Sequence, residues 1–142
     1  MIAEIIQRLA THADDLGLKL VDGAGAFQAA VESNPTATPA AYVVMLEENP
    51  APSVSEALVI QEVSANIGVI LVVRNVTDAR GAAAQTDMET LRQAVKALLL
   101  GWAPAAGVCP LERGPGRLLA FRDGHMWWQD IYKTVFYDRS AL

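Results

Sequence analysis

The chain has 142 residues, about half of them apolar and 19% charged, with 11 Lys and Arg against 16 Asp and Glu for a formal net charge of −5. This is the composition of one globular domain, taken as residues 1–142, long enough to bury a core without disulfide or metal staples. The acidity argues against non-specific binding to DNA, RNA or anionic lipid, which needs a positive field; the single cysteine, Cys109, excludes an intrachain disulfide.

Met1-Ile2-Ala3-Glu4-Ile5-Ile6-Gln7-Arg8 has no basic segment ahead of an apolar run, so a signal peptide is not expected. Ile2, Ile5, Leu9, Ala13 and Leu16 recur at spacings of three and four, with Glu4, Arg8, Thr11 and Asp15 elsewhere around the cylinder. The spacing predicts an amphipathic helix closed by Gly17. Leu18–Val21 follows as a short extended piece. Gly23-Ala24-Gly25-Ala26 reads as flexible, Phe27–Val31 as a helical turn or two, and Pro35 and Pro39 end any helix there.

Ala40–Leu46 has the length and β-branched content of a strand, and Glu47–Ser53 is a polar, proline-broken loop. From Ala57 to Val76, Val63, Ala65, Ile67, Val69, Leu71 and Val73 take every second position, with Glu62, Ser64 and Asn66 between them. This is strand periodicity with one face buried and the other wet. In the second half Ile70 and Val72 make both faces apolar, which requires a cover, either another element or another subunit. A continuous strand of this length would span about 60 Å, so a bend or bulge is expected near Asn66–Gly68. Its longest apolar run, Ile67–Val73, is too short to cross a bilayer as a helix, and the chain is expected to stay in a cytoplasm. The sequon Asn75-Val76-Thr77 is then a chance match.

Asp78–Ala83 is expected to be a loop. Thr86-Asp87-Met88-Glu89 has the pattern of a capping box, so a helix is expected to start there, carrying Met88, Leu91, Val95, Leu98 and Trp102 on one face and closing at Gly101. An irregular stretch runs to Pro110, and Leu111 begins a short strand. Arg117–Arg122 and Met126–Tyr137 read as two strands joined at Asp123-Gly124, a type I′ hairpin signal. Alternation along the last strand puts Trp127, Ile131, Val135 and Tyr137 on one side and Met126, Trp128, Tyr132 and Phe136 on the other. The fold class expected is α+β, a mostly antiparallel or mixed sheet with helices packed on one face, a single pair of layers.

The residues that could carry chemistry are sparse. Gly23-Ala24-Gly25 begins a GxGxxG, but Gln28 holds the third glycine position, and no GK[ST] occurs. His12, His125 and Cys109 lack companions at metal-ligand spacing. None of Ser33, Ser53, Ser55, Ser64 and Ser140 lies in a G-x-S-x-G elbow. Asp14/Asp15 and Glu47/Glu48 are adjacent carboxylates, normally solvated charges. No residue is therefore assigned a catalytic, cofactor or metal role. Residues proposed for a subunit or partner interface are Ile70, Val72, Arg74, Trp128, Tyr132 and Phe136, because both strands present bulky side chains on two faces.

The ordered segments resemble one family. They are the opening helix, the strand Pro39-Ala40-Ala41-Tyr42-Val43, the long strand ending Gly68-Val69-Ile70-Leu71-Val72-Val73, the helix Leu91–Leu100 running into Gly101-Trp102-Ala103-Pro104, and the aromatic strand Trp127–Tyr137. Together they are similar to the tail terminator, or tail-completion, proteins of long-tailed phages, of the lambda minor tail protein U type. The resemblance implies a structural, non-enzymatic virion protein without cofactor, acting as a homo-oligomeric ring, six-membered in that family. It implies a role in stopping tail-tube growth and joining tail to head. The implied partners are the phage tail-tube protein and a head-tail connector protein, with no nucleic acid and no membrane. The implied location is the host cytoplasm during assembly and then the virion tail. The loops 47–56 and 77–86 are expected to order on such partners. Two other readings stay open: a small-molecule-binding or enzymatic domain using scattered residues such as Arg122, Asp123 and His125, and a monomeric adaptor or immunity protein.

Overall fold

The computed structural model describes residues 1–77 and 80–141. The opening helix α1 (Ile2–Thr11) buries Ile5 and Leu9, the centre of the predicted stripe. It breaks at His12, where φ and ψ leave the helical region, and a single turn α2 (Ala13–Leu16) follows. Gly17 closes that turn in the left-handed conformation, as expected, with Leu18 N–H donating to Ala13 O at 2.9 Å. After β1 (Leu20–Asp22), the chain forms a ten-residue helix α3 (Ala24–Ser33) where the sequence predicts only a turn or two. Its alanines favour helix without making a strong apolar stripe. Asn34, at φ 70, stops it ahead of Pro35.

Strand β2 (Ala40–Pro50) continues through Glu47-Glu48-Asn49-Pro50, which the sequence assigns to a loop. These residues pair with Asn66, Ala65, Ser64 and Val63 of β3 (Ile60–Arg74), so partner pairing overrides local propensity. The expected irregularity is present, but on the partner strand. The register shifts between Met45 and Glu47, opposite Ile67 and Asn66. Leu46 is the extra residue, and its Cδ1 lies 3.1 Å from the point where a Cβ on Gly68 would sit. Gly68 therefore makes room for the bulge.

Helix α4 (Ala82–Leu99) begins four residues before the predicted capping box. Gly81, at φ 80, is its N-cap, and Thr86 lies within the helix with its hydroxyl donating to Ala82 O at 3.2 Å. The capping-box reading is thus corrected: the alanines Ala82-Ala83-Ala84 start the helix without an apolar-periodic signal. Ala84, Met88, Leu91, Val95 and Leu99 are buried. Leu98 is half-buried, and Trp102 lies past the helix end, which falls at Leu99. The loop expected from Asp78 to Ala83 falls partly on positions 78–79, outside the described residues. Strands β4 (Glu112–Arg122) and β5 (His125–Arg139) are longer than predicted and join through Asp123 (φ 51) and Gly124 (φ 72), the expected type I′ turn.

The sheet order is β1-β2-β3-β5-β4, with β1 parallel to β2 and the other pairs antiparallel. The fold is α+β on a mixed sheet, as the sequence predicts. The helices, however, occupy both faces. On one, α1, α2 and α4 cover Ala41, Val43, Ile67, Val69, Leu71 and Val73. On the other, Ala26, Phe27 and Ala30 of α3 cover Ala40, Tyr42, Val44, Ile70, Val72 and Trp127. Arg8 ties the larger layer together: its Nε donates to Leu98 O at 2.7 Å near the end of α4, and its guanidinium lies over Trp102.

These starts and caps predict opposite outcomes for two substitutions in thermal unfolding. Thr86→Ala is expected to be neutral or to stabilise by a few tenths of a kcal/mol, because a back-bonding hydroxyl within an exposed helix face is replaced by a better helix former. Gly81→Ala is expected to cost about 1–2 kcal/mol from its positive φ alone, and more because the new Cβ would fall 2.9 Å from the Phe121 ring. Equal midpoints for both variants would contradict this placement of the helix start.

Candidate functional site

The six residues proposed from sequence do not form one surface. Ile70 and Val72 are wholly buried beneath α3, so the cover required by the two-faced strand is an element of the same chain. Tyr132 is buried in the layer under α4. Arg74 is exposed at the end of β3, opposite His125, whereas Phe136 is half-buried opposite Val63 near the other end of the sheet. Trp128 is half-buried on the α4 side. The structure therefore splits the set: Ile70 and Val72 share the layer under α3, while Trp128 and Tyr132 share the layer under α4, on either side of a residue the sequence reading passed over, Asp130.

Asp130 sits on β5 at a position where alternation turns its side chain toward the helices, and the carboxylate is only 3% exposed. Arg92 of α4 donates to both its oxygens, Nε to Oδ2 at 2.9 Å and Nη2 to Oδ1 at 2.9 Å. Arg113 of β4 donates Nη2 to Oδ1 at 3.1 Å, and Trp128 donates Nε1 to the same oxygen at 3.0 Å. The Arg92 guanidinium lies 4.2 Å from the Trp128 ring centroid, so one cation serves both carboxylate and ring. Gly116 of β4 passes so close that a Cβ there would collide with Asp130 Oδ1.

The electrostatics follow from this packing. Burial pushes the Asp130 carboxyl up, but hydrogen bonds from Arg92 and Trp128, with the charges of Arg92 and Arg113, outweigh it and hold the group below the ordinary carboxylate value. Burial, with Asp130 nearby, pushes the Tyr132 hydroxyl up to about 12. The Tyr132 hydroxyl and Arg113 Nε are buried and have no hydrogen-bond partner among the described residues. The arrangement binds α4, β4 and β5 at one point, which is a structural clamp.

The scattered residues of the enzymatic alternative are engaged separately. Arg122 donates to Val31 O at 2.7 Å and lies over Trp127, and His125 Nδ1 donates to the backbone oxygen of Asp123 at 3.0 Å. His12 donates to Arg8 O, and Cys109 is exposed. Among the described residues no cluster of three or more His, Cys, Asp or Glu could hold a metal ion, and no helix is long and apolar enough to cross a membrane. Several surface depressions remain among the described residues. A shallow depression of about 470 Å³ with mixed lining runs over Asn49, Ser64, Ala65, Pro110, Glu112 and Lys133 among others. A smaller one of about 230 Å³ lies between α4 and β4, lined by Met88, Arg92, Leu118, Met126 and Trp128 among others.

Comparison with known proteins gives three results. The family model described as phage tail terminator protein matches residues 2–140. Among solved structures, a chain from the virion of a native gene transfer agent (GTA) particle superimposes with a TM-score of 0.60 at 15% identity, covering 97% of this chain and 95% of that one. No curated protein matches.

The clamp predicts a pH-dependent cost. Asp130→Asn is expected to destabilise by about 3–5 kcal/mol at pH 7, because two arginines lose a buried anion. Asp130 has a lower pKa folded than unfolded, so its contribution is full above the unfolded value, about 3.9, and is lost as pH falls through the folded value. Urea titrations should show the gap between the two proteins narrowing below about pH 4. A gap that stays constant from pH 7 to pH 2 would show that the carboxylate charge does not hold the clamp.

Proposed function

We propose that this chain, which belongs to the phage tail terminator family and so has a structural role in a phage tail, caps the tail tube as a closed ring of its own copies, stops tube polymerisation and helps join tail to head. The family match over residues 2–140 carries this reading. The likeness in fold to a chain of a gene transfer agent virion supports it, since that chain too belongs to a particle. The ring is of six, as the family resemblance implies, and the partners beyond the chain itself are the tail-tube protein and a head-tail connector protein.

The chain acts without catalysis on this reading. Of the ionisable groups with shifted proton affinity, Asp130 and Arg92 are spent on each other across two elements, and the buried hydroxyls of Tyr42 and Tyr132 are pushed up chiefly by burial. Interface residues are drawn from the members of the earlier set that reach the surface, the exposed Arg74 and the half-buried Trp128 and Phe136, with Ile70, Val72 and Tyr132 acting as internal packing. The protein is made in the host cytoplasm and ends in the virion tail.

Tail-tube protein polymerised in vitro, with and without the purified chain, provides the test. Electron microscopy should show the chain at one end of each tube only, and elongation should stop on its addition. Tubes that keep growing in saturating chain would overturn the proposal.

A further inference from the structure

The charges of this chain are segregated along its length, and the sheet order turns that segregation into a direction. Residues 20–73 carry six acidic side chains, Asp22, Glu32, Glu47, Glu48, Glu56 and Glu62, and no Lys or Arg. Strand β4 carries Arg113, Arg117 and Arg122 against the single acid Glu112. Because the order is β1-β2-β3-β5-β4, the acidic segment forms one edge of the sheet and the basic strand the other.

Both edges are open. β1 pairs only with Ala40, Ala41 and Tyr42, leaving β2 beyond Tyr42 without a strand on its outer side. There Glu47 and Glu48 are exposed, and Leu46 is 43% exposed. Among the described residues β4 pairs only with β5. On it Leu118 is 51% and Phe121 39% exposed, beside the depression lined by Met88, Met126 and Trp128. Arg117 is exposed and makes no ion pair among the described residues. Around Leu46 on β2 and around Leu118 on β4, apolar surface thus adjoins charge, acidic at Glu47 and Glu48 and basic at Arg117, although Glu112 lies further along β4.

We infer that the acidic edge of β2, centred on Leu46, Glu47 and Glu48, docks against the basic edge of β4, centred on Arg117 and Leu118, of a second copy of this chain. The inference rests on the ring reading and names the two surfaces that close it. Two different surfaces of one chain meeting head to tail make the heterologous contact from which a ring is built. The contact is made by side chains. Bulges at Leu46, at Gly114-Pro115 and at Leu119 interrupt both edges and prevent a long continuous ladder between copies.

Charge reversal tests it. Glu47→Lys with Glu48→Lys, and separately Arg117→Glu, alter exposed side chains and should leave the thermal midpoint unchanged. Self-association is read by sedimentation and chemical cross-linking of the chain alone and with tail tubes, at low ionic strength, about 0.05 M. Each reversal should weaken association by about tenfold, and the chain carrying all three changes should recover it, because both signs are then exchanged. Association of the unaltered chain should weaken as salt is raised. If the unaltered chain associates and neither reversal changes it, or the combined variant does not recover, the edges are not the contact and only this inference fails. If reversal leaves the ring intact but abolishes attachment to tubes, the acidic edge serves the tube protein and the inference is likewise overturned. If the unaltered chain never associates, alone or on tubes, the ring reading falls with it.

Discussion

The constraint on which the rest depends is the pairing of β3 with β5, fifteen residues each in unbroken antiparallel register from Ile60↔Arg139 to Arg74↔His125. Strands of that length run about 50 Å, whereas the 18-residue helix α4 is about 27 Å long. No helix of the chain can cover the whole ladder. The sheet therefore has one covered end, apolar on both faces between α4 and α3, and another that is bare on one face only, where Glu62, Ser64 and Asn66 alternate with the buried Val63 and Ala65. The switch from one-faced to two-faced apolar character along β3 is the sequence record of where the helices stop.

Within the covered end, the clamp on Asp130 is an expensive way to join elements, since burying a carboxylate costs several kcal/mol. Four donated hydrogen bonds, from Arg92, Arg113 and Trp128, offset that cost and impose geometry that apolar contact would not. Arg92 must approach from α4, Arg113 from β4, and Gly116 must lack a side chain for β4 to pass. The clamp thus fixes the position of the edge strand, with its exposed Arg117 and Leu118, relative to the core helix.

Much of this was legible in the sequence because it is periodic. The alternation of Val63 to Val73 and the Asp123-Gly124 turn specify their elements locally. What was not legible depends on partners distant in sequence. Glu47-Glu48-Asn49-Pro50 is loop-like by propensity and becomes strand only because β3 lies alongside it. Helix α3 escaped because one large residue, Phe27, packed on Tyr42 and Trp127 and joined by Ala26 and Ala30, buries a helix without the stripe of large residues that periodicity detects. Thr86–Glu89 matched a capping pattern in a helix already under way, so a four-residue motif was outweighed by the preceding alanines. Asp130 carried a signal that went unread. It falls on the same alternation as Met126, Trp128 and Tyr132, and a charge on a strand's apolar side needs a buried partner.

The irregularities of the edges connect the fold to its proposed assembly. A smooth exposed edge offers every backbone donor and acceptor to the next chain, and such edges propagate without limit. Here Leu46, Pro115 and Leu119 interrupt the edges, and charged side chains flank the interruptions. Contact between copies is then left to a small apolar patch and a few opposed charges, which are weak and salt-sensitive alone. A protein that ends a polymer gains from this weakness. On the proposed ring reading, such weak contacts would keep copies apart in solution and let them close only where a tube end holds several at high local concentration, so that the template would decide where the ring forms.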